Sequence, residues 1–147
     1  FQGLRGFVLQ QAIGILASKM TLYMHKLVGN RIALELDFIK NRVIFSFNGR
    51  SYGALSGGER QAVDLCTGLA LRDLAEHYNK CHFNMIVFDE PTESLRSPLS
   101  EAAQDLLFST AKPSTFIIAP NSLGIDYDKV LEARKENGVS SLRTIYG

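Results

Sequence analysis

Two stretches decide how this sequence reads: Leu55-Ser56-Gly57-Gly58-Glu59-Arg60-Gln61, opening a helical pattern, and Met85-Ile86-Val87-Phe88-Asp89-Glu90-Pro91-Thr92, closing an unbroken apolar run. A Ser-Gly-Gly turn ahead of a helix offers unencumbered backbone N–H groups, a hydroxyl and the positive end of the helix dipole, which together suit an anion such as a terminal phosphate. Alone, such a turn is usually only a turn. The second stretch adds an acidic pair at the carboxyl end of a buried strand. Adjacent strand residues point to opposite sides, so Asp89 can hold a magnesium ion through its water shell while Glu90 polarises an attacking water beside a γ-phosphate. An acidic pair at a strand end is by itself most often a solvated turn; in this order, with a helix between, the two stretches become specific.

The surrounding pattern predicts an α/β architecture. Over residues 4–28, Leu9, Ala12, Ile13, Leu16, Met20, Tyr23, Met24 and Leu27 recur every three or four positions, the period of an amphipathic helix stopped by Gly29-Asn30. Ile32, Leu34, Leu36 and Phe38, then Val43, Phe45 and Phe47, alternate as strands of a hairpin, and Asn48-Gly49 is a strong turn. Residues 59–78 read as a helix with Ala62, Cys66, Leu69, Ala70 and Leu74 on one side, and Gly68 inside it suggests close packing against a neighbour. The runs 85–88 and 115–119 are apolar throughout, as in parallel strands covered on both faces, with a crossover helix at 98–111 between them. Asn137-Gly138 predicts a terminal hairpin.

Composition bounds the rest. The 147 residues carry 16 Lys+Arg against 15 Asp+Glu, a formal charge of +1, with 46% hydrophobic and 21% charged residues. Those values belong to a globular domain and exclude disordered and collagen-like chains. The balanced charge creates no global field toward nucleic acid or an anionic membrane. Lys19, Lys26, Arg31, Lys40, Arg42 and Arg50 either line a DNA-facing side or are scattered solvated charges, the latter being the simpler reading. Cys66 and Cys81 are too few for a disulfide framework and, with His25, His77 and His82, make no metal-ligand spacing; Cys66 reads as a buried thiol. No membrane span and no secretory leader is apparent, so a cytoplasmic setting is expected. Residues 1–3, Phe1-Gln2-Gly3, match the end of a protease-cleavage tag and are expected to be a tag remnant as readily as natural sequence.

The pairing of LSGGERQ with MIVFDEPT resembles the signature and Walker B motifs of the ABC-type ATPase superfamily. With the leading helix, the hairpin, the NGRSYGALSGGER run and the late DKVLEARKENGVSSL stretch, nearly the whole chain resembles the carboxyl-terminal half of SbcC-type double-strand-break-repair ATPases. These include phage recombination-endonuclease subunits and are relatives of SMC proteins. Transporter ATPases share the two motifs, but the leading helix and hairpin and the Asn137-Gly138 hairpin fit the repair branch better. The resemblance implies a P-loop NTPase-like head lobe over residues 29–147, a parallel sheet flanked by helices plus antiparallel hairpins, with residues 4–28 at the root of a coiled coil where a nuclease subunit docks. It implies that Ser56, Gly57 and Gly58 contact the γ-phosphate of ATP held by the opposite protomer, with Glu59, Arg60 and Gln61 extending the signature. Asp89 then serves Mg2+ and Glu90 is the catalytic base. Two heads sandwiching ATP would form a homodimer that closes over DNA and controls the nuclease, with no membrane partner.

Three features depart from the family pattern. No G-x-x-x-x-G-K-[ST] run is present. In this family that Walker A loop lies in an amino-terminal half beyond the coiled coil, so the chain is expected to need that half as a partner and to be inactive alone. Pro120-Asn121 stands where a switch histidine is typical, leaving Asn121 to hydrogen-bond phosphate or water. The D-loop region, Glu93-Ser94-Leu95-Arg96, has Arg96 where aspartate is typical, in reach of phosphate, the opposite head or a surface salt bridge. Pro120 and Arg96 motivate a second reading, a hydrolysis-deficient DNA clamp; a transporter-type nucleotide-binding domain is a third.

Overall fold

The computed structural model describes residues 2–30, 32–39, 42–119 and 127–146. The elements run α1 (Gln2–Val28), β1 (Leu34–Ile39), β2 (Arg42–Phe47), α2 (Gly57–Asn79), β3 (Met85–Asp89), α3 (Leu99–Ser109), β4 (Ser114–Ile118), β5 (Val130–Glu136) and β6 (Val139–Tyr146). The expected α/β class and element order hold. Among the described residues the strands form three pairs: β1–β2 and β5–β6 antiparallel, β3–β4 parallel. The parallel pair is joined through α3, the crossover that parallel strands require.

Both Asn-Gly dipeptides do what their chemistry allows. Asn48 and Gly49 lie at φ of 50° and 74°, Asn137 and Gly138 at 50° and 82°, the left-handed pair that a two-residue hairpin turn demands. The first turn also exchanges both backbone bonds between Phe47 and Arg50 (2.9 and 3.0 Å). Arg50 is thereby fixed directly ahead of the Ser-Gly-Gly turn.

The core lies where α1, α2 and α3 meet one face of the parallel pair and the inner face of the first hairpin. Met20, Met24, Leu69, Leu107 and Cys66 are its largest fully buried side chains. Leu34, Leu36 and Phe45 from the hairpin, and Ile86, Phe88 and Ile117 from the parallel pair, pack against it. A polar knot fastens the three helices at their junction. Tyr23 Oη donates to Asp73 Oδ2 (2.6 Å), Lys19 Nζ lies 3.4 Å from the same oxygen, and Arg72 bonds Asp73 Oδ1 (2.8 Å) and the Thr110 carbonyl (3.0 Å) beyond α3. Burial alone would raise the Asp73 carboxyl, but the hydrogen bonds from Tyr23 and Arg72 outweigh it and hold the group below its ordinary value. Tyr23 is pushed up to about 12, first by burial and then by Asp73.

Three expectations need correction. The parallel strands are covered on one face only: Ile86, Phe88 and Ile117 turn inward, while Met85, Val87, Phe116 and Ile118 are all more than half exposed. Apolar runs signal burial on both faces, and the described residues cover one. Gly68 meets no close neighbour; an added Cβ would find nothing within 4 Å, because the residue lines an open groove between α2 and β3 with Leu71, Met85 and Val87. The stripe of α1 is core only in its second half: Met20, Tyr23, Met24 and Leu27 are buried, whereas Leu4, Phe7, Val8 and Leu9 are exposed. The basic residues follow the simpler reading of scattered charges: Lys19 pairs with Asp73 and Arg50 with Glu59, while Arg42 shares the outer face of its hairpin with Glu35 and Asp37. Arg31 and Lys40 lie outside the described residues. Cys66 is buried as expected. Among the described residues, no helix is long and apolar enough to cross a membrane.

Candidate functional site

The Ser-Gly-Gly turn forms the N-terminus of α2, with Ser56 as its N-cap. Glu59 N donates to Ser56 Oγ (3.3 Å) while Ser56 N donates back to Glu59 Oε2 (2.8 Å), a capping box that satisfies two of the helix's orphan donors. Ser56 Oγ also donates to Glu59 Oε2 (2.8 Å), and the Arg50 guanidinium grips both carboxylate oxygens. Arg50 first, then the Ser56 N–H and hydroxyl, lower the Glu59 carboxyl to about 2. Gly57 and Gly58 N–H, the next two in the turn, have no acceptor among the described residues. A pair of such donors at the positive end of a 23-residue helix is an anion-binding arrangement.

The acidic pair stands beside this turn. Asp89 ends β3, paired with Ile118 of β4, and Glu90 N continues the ladder by donating to Ile118 O (2.8 Å). Glu90 then turns into the left-handed region at φ 47°. For a residue with a Cβ this conformation costs about 1–3 kcal/mol and persists only where neighbours impose it. Both acidic side chains are exposed. A hydrogen bond shared with Glu93 raises the Glu90 carboxyl above its ordinary value, reinforced by the negative charges of Glu93 and Asp89. A carboxylate raised above its ordinary value is a stronger base than a free one.

Gln61 and Gly58 join the two halves. Gln61 Nε2 donates to Glu90 O (2.8 Å) and its Oε1 accepts from Ser94 N (2.6 Å). The Gln61 amide, expected to extend the nucleotide-facing signature, is thus engaged at both ends by this chain's own backbone. A Cβ added to Gly58 would sit 3.0 Å from Ser94 O and 3.9 Å from Leu95 Cδ2. Leu95 is buried in the core beneath that turn, and Arg96 is exposed with no ion pair among the described residues. Asn121 lies outside the described residues.

Among the described residues, no three His, Cys, Asp or Glu side chains cluster to hold a metal ion. Asp89 alone fits the mode in which magnesium keeps most of its waters and is bound by one carboxylate and substrate phosphates. The capping box was open to sequence reading, since Ser56 precedes Glu59 in the S-x-x-E pattern. The Arg50–Glu59 pair and the Gln61 bridge have no local signature.

Solved structures superpose on nearly all of this architecture. The Smc head domain with an extended coiled coil, bound to the C-terminal domain of ScpA, from Pyrococcus furiosus, matches with a TM-score of 0.75 at 16% identity, over 98% of this chain and 38% of that one. A chain solved in work on ATP-driven dimerization and DNA-stimulated activation of SMC ATPases matches with a TM-score of 0.71 at 17% identity, over 95% of this chain and 89% of that one. This is the fold of an SMC head domain.

In sequence, the chain is 27% identical over 136 residues to the DNA double-strand break repair Rad50 ATPase of Thermococcus kodakarensis, spanning 89% of this chain and 15% of that relative's length. No protein-family model matches it. The resemblance is thus met by a DNA double-strand break repair ATPase in sequence and by superposed SMC heads in structure.

Proposed function

We propose that this head lobe supplies half of a composite ATP site in a DNA-repair ATPase. Ser56, Gly57 and Gly58 meet the γ-phosphate of ATP held by the opposite protomer, and Asp89 and Glu90 act on ATP held within their own head. The observation that carries the reading is the left-handed Glu90 at the end of β3, positioned beside a capped helix start that presents two free N–H donors. Magnesium, when bound, would neutralise phosphate charge, with Asp89 as the carboxylate that holds it. Glu90 accepts a proton from the attacking water, and its raised carboxyl suits that task. Ser56 reaches a phosphate by exchanging the Glu59 carboxylate for a phosphate oxygen, a swap of one anionic acceptor for another.

The exposed face formed by Met85, Val87, Phe116 and Ile118 supports the rest of the reading. An amino-terminal half carrying the Walker A loop would cover it, restoring the two-faced burial those strands imply. Two complete heads would dimerise around ATP and coordinate DNA binding with a nuclease subunit, with the exposed start of α1 leading into the coiled coil. Joining the lobe to its amino-terminal half should create ATP binding and hydrolysis, and Glu90→Gln should then hold ATP in a long-lived dimer without turnover. Unchanged hydrolysis in that variant would defeat the proposal. The hydrolysis-deficient clamp is favoured by Pro120-Asn121 and by Arg96 in the place where aspartate is typical; a complete head that dimerises on ATP with no turnover above background selects it.

A further inference from the structure

Gln61 is bonded in a way its neighbours in the signature stretch are not. It belongs to the first turns of α2, yet its amide reaches across to the far side of the site, donating to the Glu90 carbonyl (2.8 Å) and accepting from the Ser94 amide (2.6 Å). The amide's orientation follows from the partners: a carbonyl requires the NH2 group and an N–H requires the oxygen. Glu90 needs such restraint. It is a residue with a Cβ at φ 47°, and its backbone is held by Ile118 O on the amino side (2.8 Å) and, on the carbonyl side, by Gln61 and a longer bond from Glu93 N (3.3 Å). Of the two carbonyl bonds the Gln61 one is short and comes from a different element. The Glu93 bond belongs to the same turn and would move with it.

We propose that Gln61 is a positioning residue for hydrolysis: its side chain fixes the peptide that follows Glu90 and so aims the Glu90 carboxylate, rather than contacting nucleotide itself. This rests on the composite-site reading above. Without the bridge, only the Ile118 bond and the longer same-turn bond from Glu93 hold the Glu90 backbone, and its carboxylate swings with any shift of that peptide. A displacement of about 1 Å at a reacting group costs on the order of 100-fold in rate. The loop that meets phosphate is left in place, because its cap rests on Ser56 and Glu59.

The test separates the two bonds in the complete head. Gln61→Met removes both, Gln61→Glu keeps only the acceptor for Ser94, and Gln61→Lys keeps only a donor for Glu90. ATP turnover, KM and ATP-driven dimerisation are measured for each beside the unmodified head and Glu90→Gln. Expected is a kcat lowered roughly 10- to 100-fold in the Met and Glu variants, a smaller loss in the Lys variant, and KM and dimerisation unchanged in all three. Wild-type kcat in the Met variant, or a loss of dimerisation parallel to kcat, overturns the proposal; a Lys variant as slow as the Glu variant overturns it too. Should Gln61→Met fail to fold, the Glu and Lys pair still decides. Failure of Glu90→Gln to trap ATP would instead overturn the composite-site reading beneath it.

Discussion

Gly57 and Gly58 are adjacent in sequence and in the same first turn of α2, yet their replacement by alanine should act with opposite sign. Alanine is favoured over glycine in helices by about 0.8–1 kcal/mol in interior positions, and by less in a first turn. At Gly57 nothing lies within 4 Å of an added Cβ, so only that gain applies. At Gly58 the Cβ would lie 3.0 Å from Ser94 O, and Ser94 cannot easily retreat because its amide is bonded to Gln61 at 2.6 Å and the buried Leu95 follows it. Overpacking of this kind costs about 1–3 kcal/mol, which exceeds the helix gain. The two variants should therefore differ by about 1–3 kcal/mol, or roughly 3–9 °C in Tm for a chain of this size. Thermal unfolding followed by circular dichroism reads the difference directly. A Gly58→Ala protein that melts at or above Gly57→Ala would refute the close approach of the helix start to Ser94 and Leu95 on which the site geometry depends.

Acid should loosen the start of α2 through Glu59. Its folded value is lowered to about 2 from an ordinary 4.5, so its contribution to stability is fully present above the ordinary carboxyl range and is lost as pH falls toward 2. Glu59→Gln and Arg50→Ala should each flatten the Tm-against-pH curve over that interval, and an unaltered slope in both would count against the capping box and ion pair. In thiol chemistry, Cys81 should react with a disulfide reagent in the native protein while Cys66, buried and pushed up to about 12 by that burial, reacts only after denaturation; two thiols titrating at equal rates would contradict the packing of α2. Leu69→Ala, at the centre of the three-helix junction, should lower the unfolding free energy by about 2–5 kcal/mol in urea titration, and a loss below about 1 kcal/mol would show that the site collapses or is not core.

Much of the scaffold was written in local pattern. The period of α1, the alternation of β1 and β2, both Asn-Gly turns and the crossover between two apolar runs are properties of neighbouring residues, and each formed where its residues said it would. Ser-Gly-Gly before a helix and Asp-Glu after a strand are likewise local, which is why the site could be assembled on paper. Burial is not local. Met85, Val87, Phe116 and Ile118 read as core from their apolar run, yet each is more than half exposed, and Gly68 opens onto the same side. Contacts between distant residues were equally invisible: Arg50 with Glu59 depends on a turn of defined geometry, and Gln61 with Glu90 and Ser94 on the docking of α2 against the end of β3. Tyr23, legible only as one member of a stripe, turned out to carry a hydroxyl bonded to Asp73 on the neighbouring helix.

The central claim is that the turn at Ser56 and the carboxylate of Glu90 serve different ATP molecules in a dimer. Mixed dimers of complete heads, one protomer of each type purified through two different tags, separate this from every single-protomer arrangement. With Ser56→Arg on one protomer and Glu90→Gln on its partner, one intact composite site remains and about half the ATPase activity should survive; with both changes on the same protomer, no intact site remains and turnover should fall to background. The reverse pattern, activity retained when both changes share a protomer and lost when they are split, would place the turn and the carboxylate in the same site and contradict the account.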